Sequence, residues 1–276
     1  MTYKIVLDSS GNLTSLPGAD FASVPLKIVT DEREFVDDAS LDLEDMLTYL
    51  ENYKGRSGTA CPNIGEWLEA FGDADRIFVV AITSNLSGCY NAAVRAKELY
   101  EQTHPDGKVC TLDSLSTGPE MVLIAEKLTG LIGQGLEFEE IEKQIREYMT
   151  HTHLLFSLDS LTNLARNGRV SPIVAKAAGL LGIRVVGKAS DVGTLQPMHK
   201  IRGASKAMAA IVADMKEMGF TGGKVRIAHC HNEESAKLLQ KLICGEFPDC
   251  DLQISDCAGL CSFYAERGGV LLGFED

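Results

Sequence analysis

Nowhere in the 276 residues is there an apolar run near the roughly 18 residues of a membrane-spanning helix. The opening Met1-Thr2-Tyr3-Lys4-Ile5-Val6-Leu7-Asp8 is too short an apolar stretch for a secretory signal. A cytoplasmic location with no stable membrane insertion is therefore expected. Positive charge is scarce: 26 Lys and Arg stand against 39 Asp and Glu, a net charge of −13 and a pI of about 4.9. That balance repels phosphate backbones and anionic lipid surfaces, which argues against nucleic acid as a partner. Catalytic signatures are missing as well, with no GxSxG elbow, no HExxH and no paired CxxC set. Without a secretory signal, the eight cysteines fit reduced cytosolic thiols better than a disulfide framework. No internal repeat and no low-complexity linker is found.

What is present is ordinary for a globular chain. Apolar residues at 45% and charged residues at 24% exclude disorder as the main state. A chain this long buries about three quarters of its unfolded surface and needs no disulfide or metal to fold. At about 150 residues per domain, one or two domains are expected.

Short β runs alternate with helical patterns. Strands are predicted over 3–7, 24–29, 76–82 and 108–112, the third apolar enough to be buried on both faces. Leu43, Met46, Leu47 and Leu50 mark an amphipathic helix, as do Ile64, Trp67, Leu68 and Phe71. Asn63 with Glu66 has the spacing of a capping box for the latter. Pro119 sits early in a further helix, and Phe138, Ile141, Ile145 and Met149 mark another. From about residue 151 the rhythm changes. A strand over 154–158 and a helix opened by Ser171-Pro172 precede a hairpin, 183–188 and 194–199, around Asp191-Val192-Gly193. Then come a helix over 205–218, a strand over 224–229, a helix over 233–244 and strands over 251–255 and 270–274. The pattern predicts an α/β protein of two domains: a parallel-sheet βα domain over 1–150 and a mixed α/β domain over 151–276.

Three predicted strands end in polar loops: Asp8-Ser9-Ser10-Gly11, Thr83-Ser84-Asn85-Leu86-Ser87-Gly88, and residues 113–118. In open parallel sheets, ligands bind outside the carboxyl ends of the strands, where helix N-termini suit a carboxylate or phosphate. Simple helix capping is the competing explanation for each loop. None of the three carries His, Lys or Arg, so no acid or base poised near neutral pH is at hand. That favours holding an anion over transforming it. An enzyme acting on a small phosphorylated or carboxylated metabolite at these loops is the alternative. Residues 182–189 nearly match a phosphate-binding loop, but Ala189 replaces the hydroxyl and the interior is β-forming, so a hairpin strand is expected. His229 and His231 would share a strand face, yet no local set completes four metal ligands; Cys257 and Cys261 read as small core residues. The basic residues Arg166, Arg169, Arg184, Lys188, Lys200 and Arg202 gather in the second half, as a solvated face or a docking patch for an acidic partner.

Several short motifs, in order, make the chain resemble the DegV family of fatty-acid-binding proteins over nearly its whole length. They are Asp8-Ser9-Ser10; Thr59-Ala60-Cys61-Pro62, where the family usually reads Thr-Ser-Gln-Pro; Leu86-Ser87-Gly88-Cys89-Tyr90, for Leu-Ser-Gly-Thr-Tyr; the strand running into Asp113-Ser114; Gly168-Arg169-Val170-Ser171; and Lys200-Ile201-Arg202-Gly203. The resemblance implies two α/β domains with a fatty-acid tunnel between them, a palmitate-like ligand, no cofactor, no metal and no catalytic residue. It places the carboxylate at Thr59, Ser87 and the Gly88 amide. Some members present the bound acid to a separate fatty-acid kinase that makes an acyl phosphate for phospholipid synthesis, which would put kinase docking at Arg169 and Arg202, on an exposed rim away from the carboxylate. The last motif departs from the pattern: Tyr264 stands where the family carries a histidine and becomes the expected head-group neighbour. A phenol hydrogen-bonds a carboxylate but does not shuttle protons near neutral pH.

Overall fold

The computed structural model describes residues 1–171, 173 and 182–276; the helix expected to open at Ser171-Pro172 lies outside the described residues. In chain order the first half runs β1 (Tyr3–Asp8), β2 (Phe21–Val24), β3 (Lys27–Thr30), β4 (Glu34–Val36), α1 (Leu43–Asn52), β5 (Ser57–Ala60), α2 (Ile64–Phe71), β6 (Arg76–Ala81), α3 (Cys89–Thr103), β7 (Lys108–Asp113), α4 (Pro119–Gly133) and α5 (Phe138–Tyr148). Here β2-β1-β6-β7 make an all-parallel sheet, and β4-β3-β5 a small antiparallel one. The second half runs β8 (Thr152–Leu158), α6 (Thr162–Arg166), β9 (Ile183–Ala189), β10 (Leu195–Arg202), α7 (Ala204–Glu217), β11 (Lys224–His229), α8 (Glu233–Glu246), β12 (Asp251–Asp256), α9 (Gly259–Ala265) and β13 (Val270–Glu275). Its strands form one mixed sheet in the order β10-β9-β8-β13-β11-β12, with only β11 and β12 parallel.

The apolar run of β6 is buried along its length between β1 and β7, as a central parallel strand requires. The capping box of α2 is complete: Asn63 Oδ1 accepts from Glu66 N–H at 3.1 Å, and Glu66 Oε2 accepts from Asn63 N–H at 2.7 Å. Pro119 occupies the first turn of α4, where its missing N–H costs no hydrogen bond.

Two expectations need correction. The single strand over 24–29 is two strands in different sheets, because Pro25 has no N–H for a ladder. The freed Leu26 amide donates instead to Ser9 Oγ at 3.0 Å, and its carbonyl accepts from Asp37 N–H at 2.9 Å. The first half is thus not only βα units, since residues 27–60 add the antiparallel sheet. His229 and His231 do not share a strand face either. The strand ends at His229, His231 has a positive φ of 48°, and the rings turn to Asp256 (3.4 Å) and Glu44 (3.3 Å) respectively.

An apolar cluster spans both halves. Ile28, Phe35 and Met46 of the first pack with Leu154, Phe156 and Phe263 of the second. The helix α9 is held from across the chain: Asp37 accepts from Gly259 N–H (2.6 Å) and Leu260 N–H (2.9 Å), and Asn12 Oδ1 accepts from Ala258 N–H (2.9 Å). A carboxylate at a helix N-terminus satisfies free amides and complements the helix dipole.

Candidate functional site

Between the carboxyl edge of the parallel sheet and the inner face of the mixed sheet lies a partly open cavity of about 810 Å³, counting its mouth. Its walls are mostly apolar. Leu26, Ile82 and Leu86 come from the first half, and Leu154, Phe156 and Leu158 from alternate positions of β8. That alternation is the period-2 rule at work, with Leu155 turned to the opposite face of the sheet.

The polar groups of the wall include Thr59, Ser87, Arg169 and Tyr264. Thr59 closes on Tyr264, with Oγ1 to the phenolic oxygen at 2.8 Å across 205 residues of sequence. Arg169 Nε donates to the Leu86 carbonyl at 3.1 Å and Nη1 to the Asn167 carbonyl at 2.6 Å. Its guanidinium carbon stands 5.9 Å from the centre of the Tyr264 ring. Burial pushes the Tyr264 phenol above its usual value, while Thr59 and Arg169 pull the other way. The phenol therefore stays a neutral hydrogen-bonding group near pH 7. Ser87 donates to Cys89 Sγ at 3.2 Å and accepts from Cys89 N–H at 3.3 Å.

Of the expected site residues, Thr59, Ser87 and Tyr264 meet at this cavity. Gly88 stands just beyond, exposed at the N-cap of α3. Arg202 is exposed at the end of β10. Arg169 departs from the expected exposed rim: it is half-buried and lines the cavity, because the turn through Gly168 (φ 75°) folds its side chain back over Leu86. Two of the three polar loops, those after β6 and β7, reach the wall through Thr83, Ser87, Ser116 and Thr117. The loop after β1 does not. Asp8, Ser9 and Ser10 are buried in internal bonds, with Asp8 accepting from Ile82 N–H at 2.7 Å and from the Ser10 hydroxyl. Burial holds the Asp8 carboxyl up at about 6.

The tip of the β9–β10 hairpin is a part of the site that the sequence analysis did not anticipate. Gly193, at φ 73°, sits so close to Thr83 Oγ1 and Leu115 that a Cβ there would clash with both. Asn85 Nδ2 fixes the tip by donating to the Val192 carbonyl at 2.6 Å. The turn signal Asp191-Val192-Gly193 marked the hairpin but carried no hint of what its tip would touch. No group of three or more His, Cys, Asp or Glu side chains placed to hold a metal occurs among the described residues. Among the described residues no helix is long and apolar enough to cross a membrane.

Two α/β lobes around an apolar cavity with a polar cluster in its wall define a class of small-molecule-binding fold. The chain belongs to the DegV family: the family profile described as "Uncharacterised protein, DegV family" matches residues 2–275. A DegV domain-containing protein of Streptococcus pneumoniae is 44% identical over 279 residues, covering 100% of this chain and 99% of that protein. Among solved structures, a DegV family protein from Eubacterium eligens loaded with heptadecanoic acid is 48% identical, with a TM-score of 0.98 and 99% of each chain covered. The Fatty Acid Kinase (Fak) B3 protein of Streptococcus pneumoniae, loaded with linoleic acid, is 44% identical, with a TM-score of 0.98 and coverage of 100% of this chain and 99% of that one.

Proposed function

We propose that this protein binds a long-chain fatty acid, with the carboxylate at Thr59, Ser87, Arg169 and Tyr264 and the acyl chain in the apolar cavity. The observation that carries the reading is the meeting of two hydroxyls, a phenol and a guanidinium in the wall of an otherwise apolar cavity. A buried carboxylate is costly unless its oxygens are satisfied, and these groups offer donors and a positive charge. The fatty acids held by the relatives from Eubacterium eligens and Streptococcus pneumoniae support the same ligand class. Residues 1–150 would supply Thr59, Ser87 and Gly88, and residues 151–276 would close the tunnel.

We further read the protein as a cytoplasmic carrier and not an enzyme. No His, Asp or Glu lines the cavity among the described residues, so the acid–base pair that the metabolite-enzyme alternative needs is not at hand. Activation of the acid would then belong to an ATP-dependent fatty-acid kinase, a partner suggested by the name of the Fak B3 relative. The exposed Arg202 is the proposed contact for it. Palmitate titrated into Thr59→Ala and Ser87→Ala tests the head-group assignment. Each loss should weaken binding by about 1.5–3 kcal/mol, the range for hydrogen bonds to a charged group. Unchanged affinity in both variants would place the carboxylate elsewhere.

A further inference from the structure

Two of the positions at which this chain departs from the DegV motifs are cysteines, and the fold brings them together. Cys61 follows β5, two residues after Thr59, and Cys89 opens α3, two residues after Ser87. Cys61 is exposed and Cys89 is buried. The geometry that joins them runs through Gly88, the residue just before Cys89 at the start of α3. Cys61 Sγ lies against Gly88, 3.3 Å from where a Cβ on that residue would stand. The Ser87 hydroxyl, one of the proposed head-group donors, is spent on Cys89 Sγ in this state.

The neighbouring Cys89 draws the Cys61 thiol down to about 6, while Cys61 and burial push Cys89 up. The thiolate is the nucleophile in sulfur chemistry. An accessible thiolate beside a protonated partner thiol is the arrangement of a reacting and a resolving cysteine.

We propose that Cys61 and Cys89 are a peroxide-sensitive dithiol whose oxidation to a disulfide weakens fatty-acid binding. Cys61 sulfur attacks one oxygen of a peroxide; the O–O bond breaks, leaving a sulfenic acid on Cys61 and releasing water, or an alcohol from an organic peroxide. Cys89 sulfur then attacks the sulfenic sulfur. The S–O bond breaks, water leaves with the Cys89 proton, and the S–S bond forms. Two thiols are oxidised while the peroxide is reduced, so no other reactant is needed. The new bond ties the end of β5 to the first turn of α3. It removes the thiol that Ser87 contacts and shifts Thr59 and Ser87, each two residues from the crosslink, relative to each other. The effect on binding rests on the head-group assignment to those two residues; the crosslink itself does not.

The test uses the full chain carrying Cys244→Ser and Cys250→Ser, because those sulfurs stand 3.8 Å apart and would form a competing pair. Reduced protein is treated with hydrogen peroxide and read by intact mass, by non-reducing peptide mapping and by palmitate titration. The expected results are a loss of two hydrogens, a Cys61–Cys89 crosslinked peptide, and an affinity reduced about tenfold or more and restored by dithiothreitol. Adding Cys89→Ser should abolish the crosslink and leave a Cys61 sulfenic acid that dimedone traps. Absence of the crosslink overturns the proposal, as does a crosslinked protein that binds palmitate as well as the reduced one. Reduced protein that binds no palmitate refutes the fatty-acid reading instead, and the link to binding falls with it, while the mapping still reports on the dithiol.

Discussion

Arg169 carries the sharpest prediction. The Arg169 guanidinium stands 5.9 Å from the centre of the Tyr264 ring, and the charge pairing is worked for a carboxylate bonded to Thr59 and Tyr264 at about 6 Å from that guanidinium. At about 6 Å and an effective dielectric of about 20, two unit charges attract by about 3 kcal/mol. Water reaching the half-buried guanidinium trims this to about 2 kcal/mol, or roughly 30-fold in Kd. Arg169→Gln should therefore bind palmitate roughly 30-fold more weakly than the parent protein, by calorimetric or fluorescence titration at low salt. Arg169→Lys should fall between the two, since it keeps the charge but loses the bond to the Leu86 carbonyl. Arg202→Gln, far from the cavity wall, should match the parent and serves as the control. Thermal melts must show each variant folded. If Arg169→Gln binds as the parent does, the guanidinium does not face the carboxylate and the electrostatic reasoning is wrong.

Glu120 offers a stability test. Burial holds its carboxyl up, from 4.5 to about 7, so ionising it in place costs roughly 3 kcal/mol at about 1.4 kcal/mol per pH unit. Because the folded pKa is raised, its stabilising contribution is complete below about pH 4.5 and is lost as the pH rises through about 7. Glu120→Gln, which keeps an acceptor for the Thr152 hydroxyl, should raise Tm by roughly 5 °C at pH 8 and by almost nothing near pH 4.5; an equal gain at both pH values would sink the burial argument. Gly273 packs its backbone on the first turn of α4, where a Cβ would stand 2.6 Å from Glu120 N and 2.7 Å from Pro119 C. Neither neighbour is a side chain that can rotate away, so Gly273→Ala should cost about 1–3 kcal/mol, and denaturant unfolding at an unchanged midpoint would count against this close approach.

Much of the architecture was legible because the central strands and helices are locally consistent. The run in β6 is β-branched and apolar, the Asn63–Glu66 box starts α2, and the turn at Asp191-Val192-Gly193 joins β9 to β10 in antiparallel register. The small sheet was not legible. β4 has three residues and β5 reads Ser-Gly-Thr-Ala, a composition with little strand preference, so its pairing with β3 comes from tertiary packing. The site was legible in part. Thr59 and Ser87 stood out only through the motifs that carry the family resemblance, since Ser and Thr at loop ends are explained equally well by capping. The inward turn of Arg169 depends on a glycine with positive φ one residue earlier, and a charged residue in a polar segment reads by default as exposed.

The helix α9 shows why the remainder was hidden. It is only seven residues long, and no side chain within its own segment caps it. A helix that short is marginal by itself, because nucleation costs more than a few hydrogen bonds return. Its amides are satisfied by Asp37, more than 200 residues away, and that carboxylate is itself buried and held above its usual value by desolvation. So the element that brings Tyr264 to Thr59 is held in place by carboxylate and amide groups of the first half. The hydroxyl pair at 2.8 Å is then a product of the interface between the halves, belonging to neither alone. A ligand that bonds both groups must favour the closed arrangement of the two halves over any opened one. This follows because it gains the second contact only when α9 is docked on Asp37 and Asn12.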